Sequence, residues 1–521
     1  MTFAARPRQP LELGLAFLRA GRWTEAAVHL ETAARQAPDQ PGPRHNLGVA
    51  LRHAGHLEAA RRAFEDALEA DPRFAPAWKA LAAVLTEQGE QEAAWALRRR
   101  METELGAAAP MALLEAAVNY HGGLDRDAVF DEAAPGLVEV EDRVPTLPAR
   151  VEEEPEPERR LRIGYVSPDL RHHACAAFIE PLWAAHDSAQ VELHAYADVA
   201  APDGTTARLR VLAHRWRDIS GLAPDAVAAM IRTDRIDLLV DLAGHTHGRQ
   251  LLAFARRPAP LQVAWLGYPG TTGLTRMDAR LTDAFADPPG AESWHTERLI
   301  RLPGFLAWHP PTDAPAPGPL PMLEAGRCTF ASFNNPSKFG ERVVALWSRL
   351  LHRIPGSRLL LKARAFQDPG TRERWAAKFT GLGVPRDALE FRPFSASTAH
   401  HLAQYGEVDL ALDPFPYNGV TTTCEALWMG VPVVGLAGDR HAARTGLSLL
   451  SALGRPEWAV ADAEAWLDLA AGMASDPARL SRERAGLRAV MASSRLCDGP
   501  ALAASVEAAY RELWRTHLEA S

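Results

Sequence analysis

From Leu161 onward, short apolar runs alternate with stretches that read as helices. The runs are Leu161–Val166, Val191–Tyr196, Ile236–Leu242 and Leu261–Leu266, then Cys328–Phe333, Arg358–Lys362, Leu389–Phe391, Val408–Leu412 and Val431–Leu436. They are continuous rather than alternating, which marks strands buried on both faces and predicts parallel sheets covered by helices. A proline-rich break, His309-Pro-Pro-Thr-Asp-Ala-Pro-Ala-Pro-Gly-Pro-Leu-Pro321, separates the two series. Two Rossmann-like doubly wound domains, residues 161–315 and 316–521 with helices at the end of the second, would place a cleft at the carboxyl ends of both sets of strands.

The first hundred residues follow another rule. Leu13-Gly14, Leu47-Gly48 and Leu81-Ala82 recur every 34 residues, as do Gly21, Gly55 and Gly89, and Ala26, Ala60 and Ala94. Pro38 and Pro72 close the first two units. This is the tetratricopeptide period, in which small residues let paired helices approach and each glycine makes the turn between them. About three repeats within residues 1–110 are near the minimum for a stable all-α solenoid. Such an array presents a concave surface to a partner, or it only braces the neighbouring domain. Residues 111–135 look helical, and residues 136–160 form a Pro/Glu-rich charge run that reads as an extended, solvated linker.

Composition narrows the function. Hydrophobic residues make up 47% and charged residues 23% of 521, values of an ordinary soluble chain of several domains. A net charge of −8 provides no general attraction to nucleic acid or anionic membranes. Cys175, Cys328, Cys424 and Cys497 lie far apart in sequence without metal-ligand spacing. A reduced, cytoplasmic setting is the simplest account. No run approaches the ~20 apolar residues that cross a bilayer, so no membrane insertion is expected.

The stretch from Asp413 to Gly430 carries the most chemistry. A strand runs into a Pro/Asn/Gly turn, and a helix then opens on Thr421, Thr422 and Thr423. Free N–H groups, threonine hydroxyls and the positive end of the helix dipole make a phosphate site there. Glu425, one turn in, is placed to accept two sugar hydroxyls. Thr422-x-x-Glu425 is equally a capping box that needs no ligand.

Four further loops follow strands. Ser167-Pro-Asp-Leu-Arg-His-His173-Ala-Cys175 offers a general base, or a pair of surface histidines. Asp241-Leu-Ala-Gly-His245-Thr-His247-Gly248 suggests metal by its His-x-His, but with no third ligand nearby a loop contacting sugar hydroxyls is the better reading. Trp265-Leu-Gly-Tyr268-Pro-Gly270-Thr-Thr-Gly273 is a glycine-punctuated turn that would let a ligand approach the backbone closely, or an ordinary tight connection. Phe333-Asn-Asn335-Pro-Ser-Lys338 presents a lysine able to neutralise a departing diphosphate, or a solvated helix-start lysine. Asp125-Arg-Asp127 has Asp-x-Asp spacing but lies in the connector, so no metal site is expected.

At these residues the chain resembles the protein O-linked N-acetylglucosaminyltransferase family, including its plant SPINDLY and bacterial branches. The matching stretches are Arg162-Ile-Gly-Tyr-Val-Ser-Pro-Asp169, the run from Arg257 to Gly273, Ser332-Phe-Asn-Asn335 with Lys338, and Pro416 to Gly430. The resemblance implies a two-domain α/β GT-B glycosyltransferase, preceded by repeats, that inverts the anomeric centre without a metal or other cofactor. It implies diphosphate contact by Lys338, nucleotide contact by Asn335, phosphate contact by Thr421 and Thr422 with Gly419 beside them, ribose contact by Glu425 and nucleobase contact by His401. His173 falls at the family's active-site histidine, and His245, His247, Tyr268 and Gly270 fall where sugar or acceptor would lie. Val420 replaces a histidine of the animal enzymes, and Thr398 and Gln404 stand in place of a lysine and an arginine. The implied partners are a sugar nucleotide and a protein or peptide acceptor met by the repeats, with no nucleic acid.

The expected function is inverting GlcNAc transfer from UDP-GlcNAc to Ser or Thr hydroxyls. Fucosyl transfer from GDP-fucose, N-glucosyl transfer to asparagine, a small-molecule acceptor, and a non-catalytic repeat scaffold with a vestigial nucleotide site are the alternatives.

Overall fold

The computed structural model describes residues 9–105, 118–133, 141, 143–148, 156–395 and 397–520. The expectations for residues 111–117 and for most of the Glu-rich run at 149–155 lie outside them. Two compact units emerge, Met1–Gly122 with Arg327–Ala396, and Gly123–Gly326 with Ser397–Ser521. The strands are β1 (Leu161–Ser167), β2 (Val191–Ala197), β3 (Arg215–Asp218), β4 (Leu238–Asp241), β5 (Leu261–Ala264), β6 (Ala279–Asp283), β7 (Arg298–Leu302), β8 (Thr329–Ser332), β9 (Arg358–Lys362), β10 (Leu389–Arg392), β11 (Leu410–Leu412), β12 (Val433–Leu436) and β13 (Ala459–Val460).

The first unit begins with three helix pairs: α1 (Pro10–Arg19) with α2 (Trp23–Gln36), α3 (Pro41–Ala54) with α4 (Leu57–Ala70), and α5 (Ala75–Gln88) with α6 (Gln91–Leu105). The first helix of each pair carries proline in its opening turn, where fixed φ and a missing N–H cost nothing. Gly48 shows why the Leu-Gly step recurs: a Cβ there would sit 2.5 Å from the Phe64 ring of α4. Phe64, Leu81, Val84 and Leu85 form the core of the second and third pairs, closed by Ala365. The same unit holds β8, β9 and β10 in parallel register, with Phe330 opposite Leu359 and Leu361 opposite Phe391. Leu359, Leu360 and Leu361 are fully buried, as an apolar strand covered on both faces must be.

The second unit contains a seven-stranded parallel sheet in the order β3-β2-β1-β4-β5-β6-β7. The chain reverses its direction of growth between β1 and β4, so the crevice beyond their carboxyl ends is the natural ligand position. The loops Ser167–Cys175 and Asp241–Gly248 leave from those two ends. The parallel run β11-β12-β13 lies in this unit as well. The last helix, Gly499–Ala520, returns to the first sheet: Tyr510 Oη lies 3.3 Å from Tyr165 Oη of β1, and Trp514 donates its indole N–H to the Glu156 carbonyl.

Two segments read as free connections are held down. Glu141 is buried and accepts the N–H groups of Thr275 and Arg276 at 2.9 and 2.8 Å, while Val144 and Leu147 pack on the sheet's core. The part of the proline-rich linker at 143–148 is therefore docked rather than solvated, because it carries apolar residues at a three-residue step beside a buried carboxylate anchor. The break at 309–321 is pinned by Arg484 to the Gly318 carbonyl at 2.9 Å and by Arg488 to the Pro315 carbonyl at 2.6 Å. No helix among the described residues is long and apolar enough to cross a membrane.

Candidate functional site

The helix Thr421–Trp428 starts without a side-chain cap, its N-cap being Val420. The capping box offered by Thr422 and Glu425 does not form. Glu425 turns instead to His401, whose Nε2 lies 3.0 Å from Oε2. Tyr405 packs edge-on against His401 and donates its hydroxyl to the Thr422 carbonyl at 3.3 Å. The three threonines divide by role. Thr423 is buried and donates to the Gly419 carbonyl at 3.1 Å, whereas Thr421 and Thr422 stay partly open. Gly419 directs its own N–H inward to Asp413 at 2.6 Å, and Asn418 ties Pro414 and Gly446 together. The turn is thereby rigid before any ligand arrives, with Thr421 and Thr422 partly exposed at the helix's positive end.

Lys338 ends a single 3-10 turn, Pro336–Lys338, just past the carboxyl end of β8. Asn335 caps that turn, its side chain accepting from Ser337 N at 3.1 Å. Its expected nucleotide contact thus competes with a structural duty. Lys338 is half-buried, and its backbone N–H bonds the Asn335 carbonyl at 2.9 Å.

At the switch point, His173 Nδ1 lies 3.5 Å from Asp169 Oδ1 and accepts the Cys175 N–H at 3.3 Å. Partial desolvation is the main influence lowering its pKa from the ordinary value, although 37% of the side chain stays exposed; Asp169 pulls it up, and Arg171 and His172 push it down. The ring is neutral at pH 7. While Nδ1 accepts from Cys175, the proton sits on Nε2; a turn toward Asp169 would carry it to Nδ1 and leave Nε2 as an outward acceptor. The neighbouring His172 N–H is fixed by Asp203 at 2.7 Å. Asp169, His173 and Cys175 are the one group of donors among the described residues close enough to share an ion, within 4.8 Å of one another. Burial pushes the Cys175 thiol far up, so the thiolate that a soft metal needs is disfavoured.

His245 and Tyr268 meet as buried partners, ring centroids 4.7 Å apart and edge-on, with His245 Nε2 donating to the Thr272 carbonyl at 2.9 Å. They lock the second and third loops to each other. The side chain of His247 lies outside the described residues. Gly270 offers its carbonyl to Arg280 Nη1 at 2.7 Å, and Arg280 also holds the Tyr268 carbonyl at 2.7 Å. Glu297 accepts from Thr271 Oγ1 and Thr272 N at 2.7 and 2.6 Å. Asp241 accepts the Ala243 and Gly244 N–H groups at 3.1 and 2.8 Å, and burial pushes its carboxyl up to about 6 against those bonds.

Sequence reasoning missed the roles of Arg280, Glu297 and Asp413, which hold the loops from behind; only Asp413, a carboxylate closing an apolar run, had a local signal, whereas Arg280 and Glu297 lie in or beside strands that patterning does not reveal. It also passed over a compositional signal at Lys338. The chain has four lysines, Lys79, Lys338, Lys362 and Lys378, among 57 basic residues. A chain that chooses arginine so consistently has a lysine in this turn.

Comparison with known proteins bears on this arrangement. A model of glycosyl transferase family 41 matches residues 146–307 and 322–505, and a tetratricopeptide-repeat model matches residues 17–97. A Petunia hybrida protein named as a probable UDP-N-acetylglucosamine–peptide N-acetylglucosaminyltransferase SPINDLY is 41% identical over 369 residues, 70% of this chain and 40% of that protein. The Arabidopsis thaliana protein of the same name is 40% identical over 367 residues, again 70% and 40%. This chain therefore spans about 40% of the length of the curated relatives it matches. A solved structure of a lysine-to-methionine mutant of the Thermobaculum terrenum O-GlcNAc transferase is 35% identical, with a TM-score of 0.90 and 98% of each chain covered. The architecture is accordingly helical repeats followed by two parallel sheets of the GT-B type.

Proposed function

The chain belongs to glycosyl transferase family 41, and on that premise we propose that it moves GlcNAc from UDP-GlcNAc to Ser or Thr hydroxyls of protein or peptide acceptors. The acceptor oxygen attacks C1 as the bond from C1 to the diphosphate oxygen breaks, inverting the anomeric centre. The acceptor proton passes to His173, and the two electrons of the broken bond leave with UDP. Lys338, the Thr421 and Thr422 hydroxyls and the dipole of their helix stabilise that departing charge, so no divalent ion or other cofactor is required. His401 and Glu425 act as one unit toward nucleobase and ribose. The repeats contact the acceptor, and the four free cysteines suit a cytoplasmic setting. The printed names of the relatives support the donor and the peptide acceptor.

The observation that carries this reading is a helix start whose N-cap, Val420, makes no side-chain cap bond, with Thr421 and Thr422 partly exposed and Thr423 turned inward. Lys338→Ala tests it: turnover should fall about 100-fold or more, with the melting temperature unchanged. Near-normal turnover in that variant removes the leaving-group role. A second reading, O-fucosyl transfer from GDP-fucose, is favoured by Val420 standing at the N-cap where animal members carry histidine. Calorimetric titration with UDP, GDP and their sugars separates the two, and mass spectrometry of an incubated protein mixture identifies the acceptor class.

A further inference from the structure

The third helical repeat breaks its own pattern where it turns. The positions one before and two after the turn glycine are Ala20 and Trp23 in the first repeat and Ala54 and Leu57 in the second, but Gln88 and Gln91 in the third. Both glutamines are nearly fully buried, at 0% and 3% exposure. Burying a primary amide costs free energy unless it is hydrogen-bonded, so two at one corner call for dedicated partners.

Gln88 donates its amide to Glu58 Oε2 at 3.1 Å and to Thr371 Oγ1 at 3.4 Å, whereas the partner of Gln91 lies beside Lys338. Gln91 donates its amide N–H to the Ser337 carbonyl at 2.6 Å. Gly89, with φ of +77°, lies so close that a Cβ would stand 2.6 Å from the Pro336 carbonyl oxygen and 2.4 Å from Trp375 Cζ2. The Gln88 carbonyl accepts the Trp375 indole N–H at 2.8 Å, and Trp375 meets Phe339 edge-on at 5.6 Å. Glu90 pairs with Lys378 at 3.2 Å. Four consecutive residues of the corner thus engage the lobe that carries Lys338. Two of them press on the turn that ends in it, and a third holds the tryptophan behind the next residue. In the second repeat a Cβ at Gly55 would meet the side chain of Gln367 at 3.3 Å, and in the first a Cβ at Gly21 would meet its own Trp23 at 3.8 Å.

We propose that the corner Gln88–Gln91 positions Lys338 for the transfer reaction, with Gln91 as a positioning residue acting through the Ser337 carbonyl. The repeats would then set the rate for every acceptor, including one too short to touch their surface. This rests on the reading that Lys338 meets the donor's diphosphate.

The full-length chain tests it through Gln91→Leu, which restores the residue type of the second repeat, and Gln91→Glu, which keeps the shape but faces an acceptor toward a carbonyl. With a short peptide acceptor, assayed well below the melting temperature of each variant, kcat should fall about fivefold or more in both with KM for that peptide little changed; both variants should also melt somewhat lower, because each leaves the Ser337 carbonyl without its donor. Packing alone would spare Gln91→Glu, and an unchanged kcat in both variants overturns the proposal. UDP affinity by calorimetry should weaken on Gln91→Leu in the Lys338 protein and not in the Lys338→Met background; equal weakening in both overturns it. Isotopic methylation of the four lysines supplies a readout without turnover. The Lys338 resonance, assigned by its loss in Lys338→Arg, should shift on Gln91→Leu and respond less to UDP. A resonance that answers UDP equally in wild type and Gln91→Leu overturns the positioning role alone. A resonance indifferent to UDP in the wild type overturns the diphosphate reading beneath it.

Discussion

Lys338 poses the residue-scale question most sharply, because arginine is this chain's habitual cation. A guanidinium spreads its charge over a planar fork, whereas an ammonium is a compact charge on a flexible stem. On the proposed reading, a departing diphosphate oxygen reached from the end of one tight turn favours the compact form. Lys338→Arg should therefore keep the charge and still lose most turnover, about tenfold or more in kcat; steady-state kinetics with full activity would refute the size argument. His173 poses a second question, of protonation. Its pKa lies below the ordinary imidazole value because the partly desolvated ring disfavours the charged form. The basic form therefore persists below about pH 6.5, and the acid limb of the kcat/KM profile should fall there. Asp169 opposes that lowering, so Asp169→Asn should drive the limb to still lower pH. A limb that moves upward in this variant, or stays put, would remove Asp169 as the partner of the ring.

At the scale of elements, the helix Thr421–Trp428 shows what patterning reveals and what it hides. The apolar run before it, the turn residues and the three threonines are legible from the sequence, and so is the phosphate-binding potential of an open helix start. What the sequence leaves open is which threonine faces outward. That depends on the Gly419 carbonyl that claims Thr423 and on Asp413, whose carboxylate holds the Gly419 N–H. A direct consequence separates the three: Thr421→Val should weaken UDP binding without loss of stability. Thr423→Val should cost about 1 kcal/mol of stability by leaving a buried carbonyl without its donor, and bind UDP normally. Calorimetry and thermal melting on both variants check the assignment, and reversed outcomes would invert it. The strands tell a similar story. Nine apolar runs are readable, most of them because they are buried on both faces; β10 is an edge strand with only Leu389 buried and is legible by composition alone. β3 (Arg-Trp-Arg-Asp) and β7 sit at the edges of their sheet and keep charged residues. β6 hides Arg280, Thr282 and Asp283 inside, and β13 is two residues long. Those four strands follow from neighbours in space, and local patterning carries no trace of that.

At the scale of the whole molecule, the second unit depends on a buried polar tie between its first sheet and the segment after β12. Asp287, beyond β6, accepts from His441 Nδ1 at 2.7 Å and from Thr282 Oγ1 at 2.5 Å, with His295 Nε2 at 3.4 Å. Burial works against its ionisation, yet His441 and His295 outweigh that and hold the carboxyl well below the usual range. His441 is itself fully covered, and burial, only partly offset by Asp287, keeps its pKa below the ordinary value. A histidine held neutral by the fold contributes stability that is complete above its unfolded pKa of about 6.5 and is lost as pH falls toward the folded value. The melting temperature should accordingly drop between pH 7 and pH 5, and His441→Gln, which keeps a donor toward Asp287 but cannot titrate, should reduce that drop. Other histidines with lowered pKa, among them His45 and His194, keep it from vanishing. Asp287→Asn weakens the tie from the other side and should cost about 2 kcal/mol, because one amide oxygen replaces a carboxylate that serves His441, Thr282 and His295. If His441→Gln melts with the wild-type pH dependence, the tie is a contact of shape alone, and the acid sensitivity of the fold must be sought in the other buried rings.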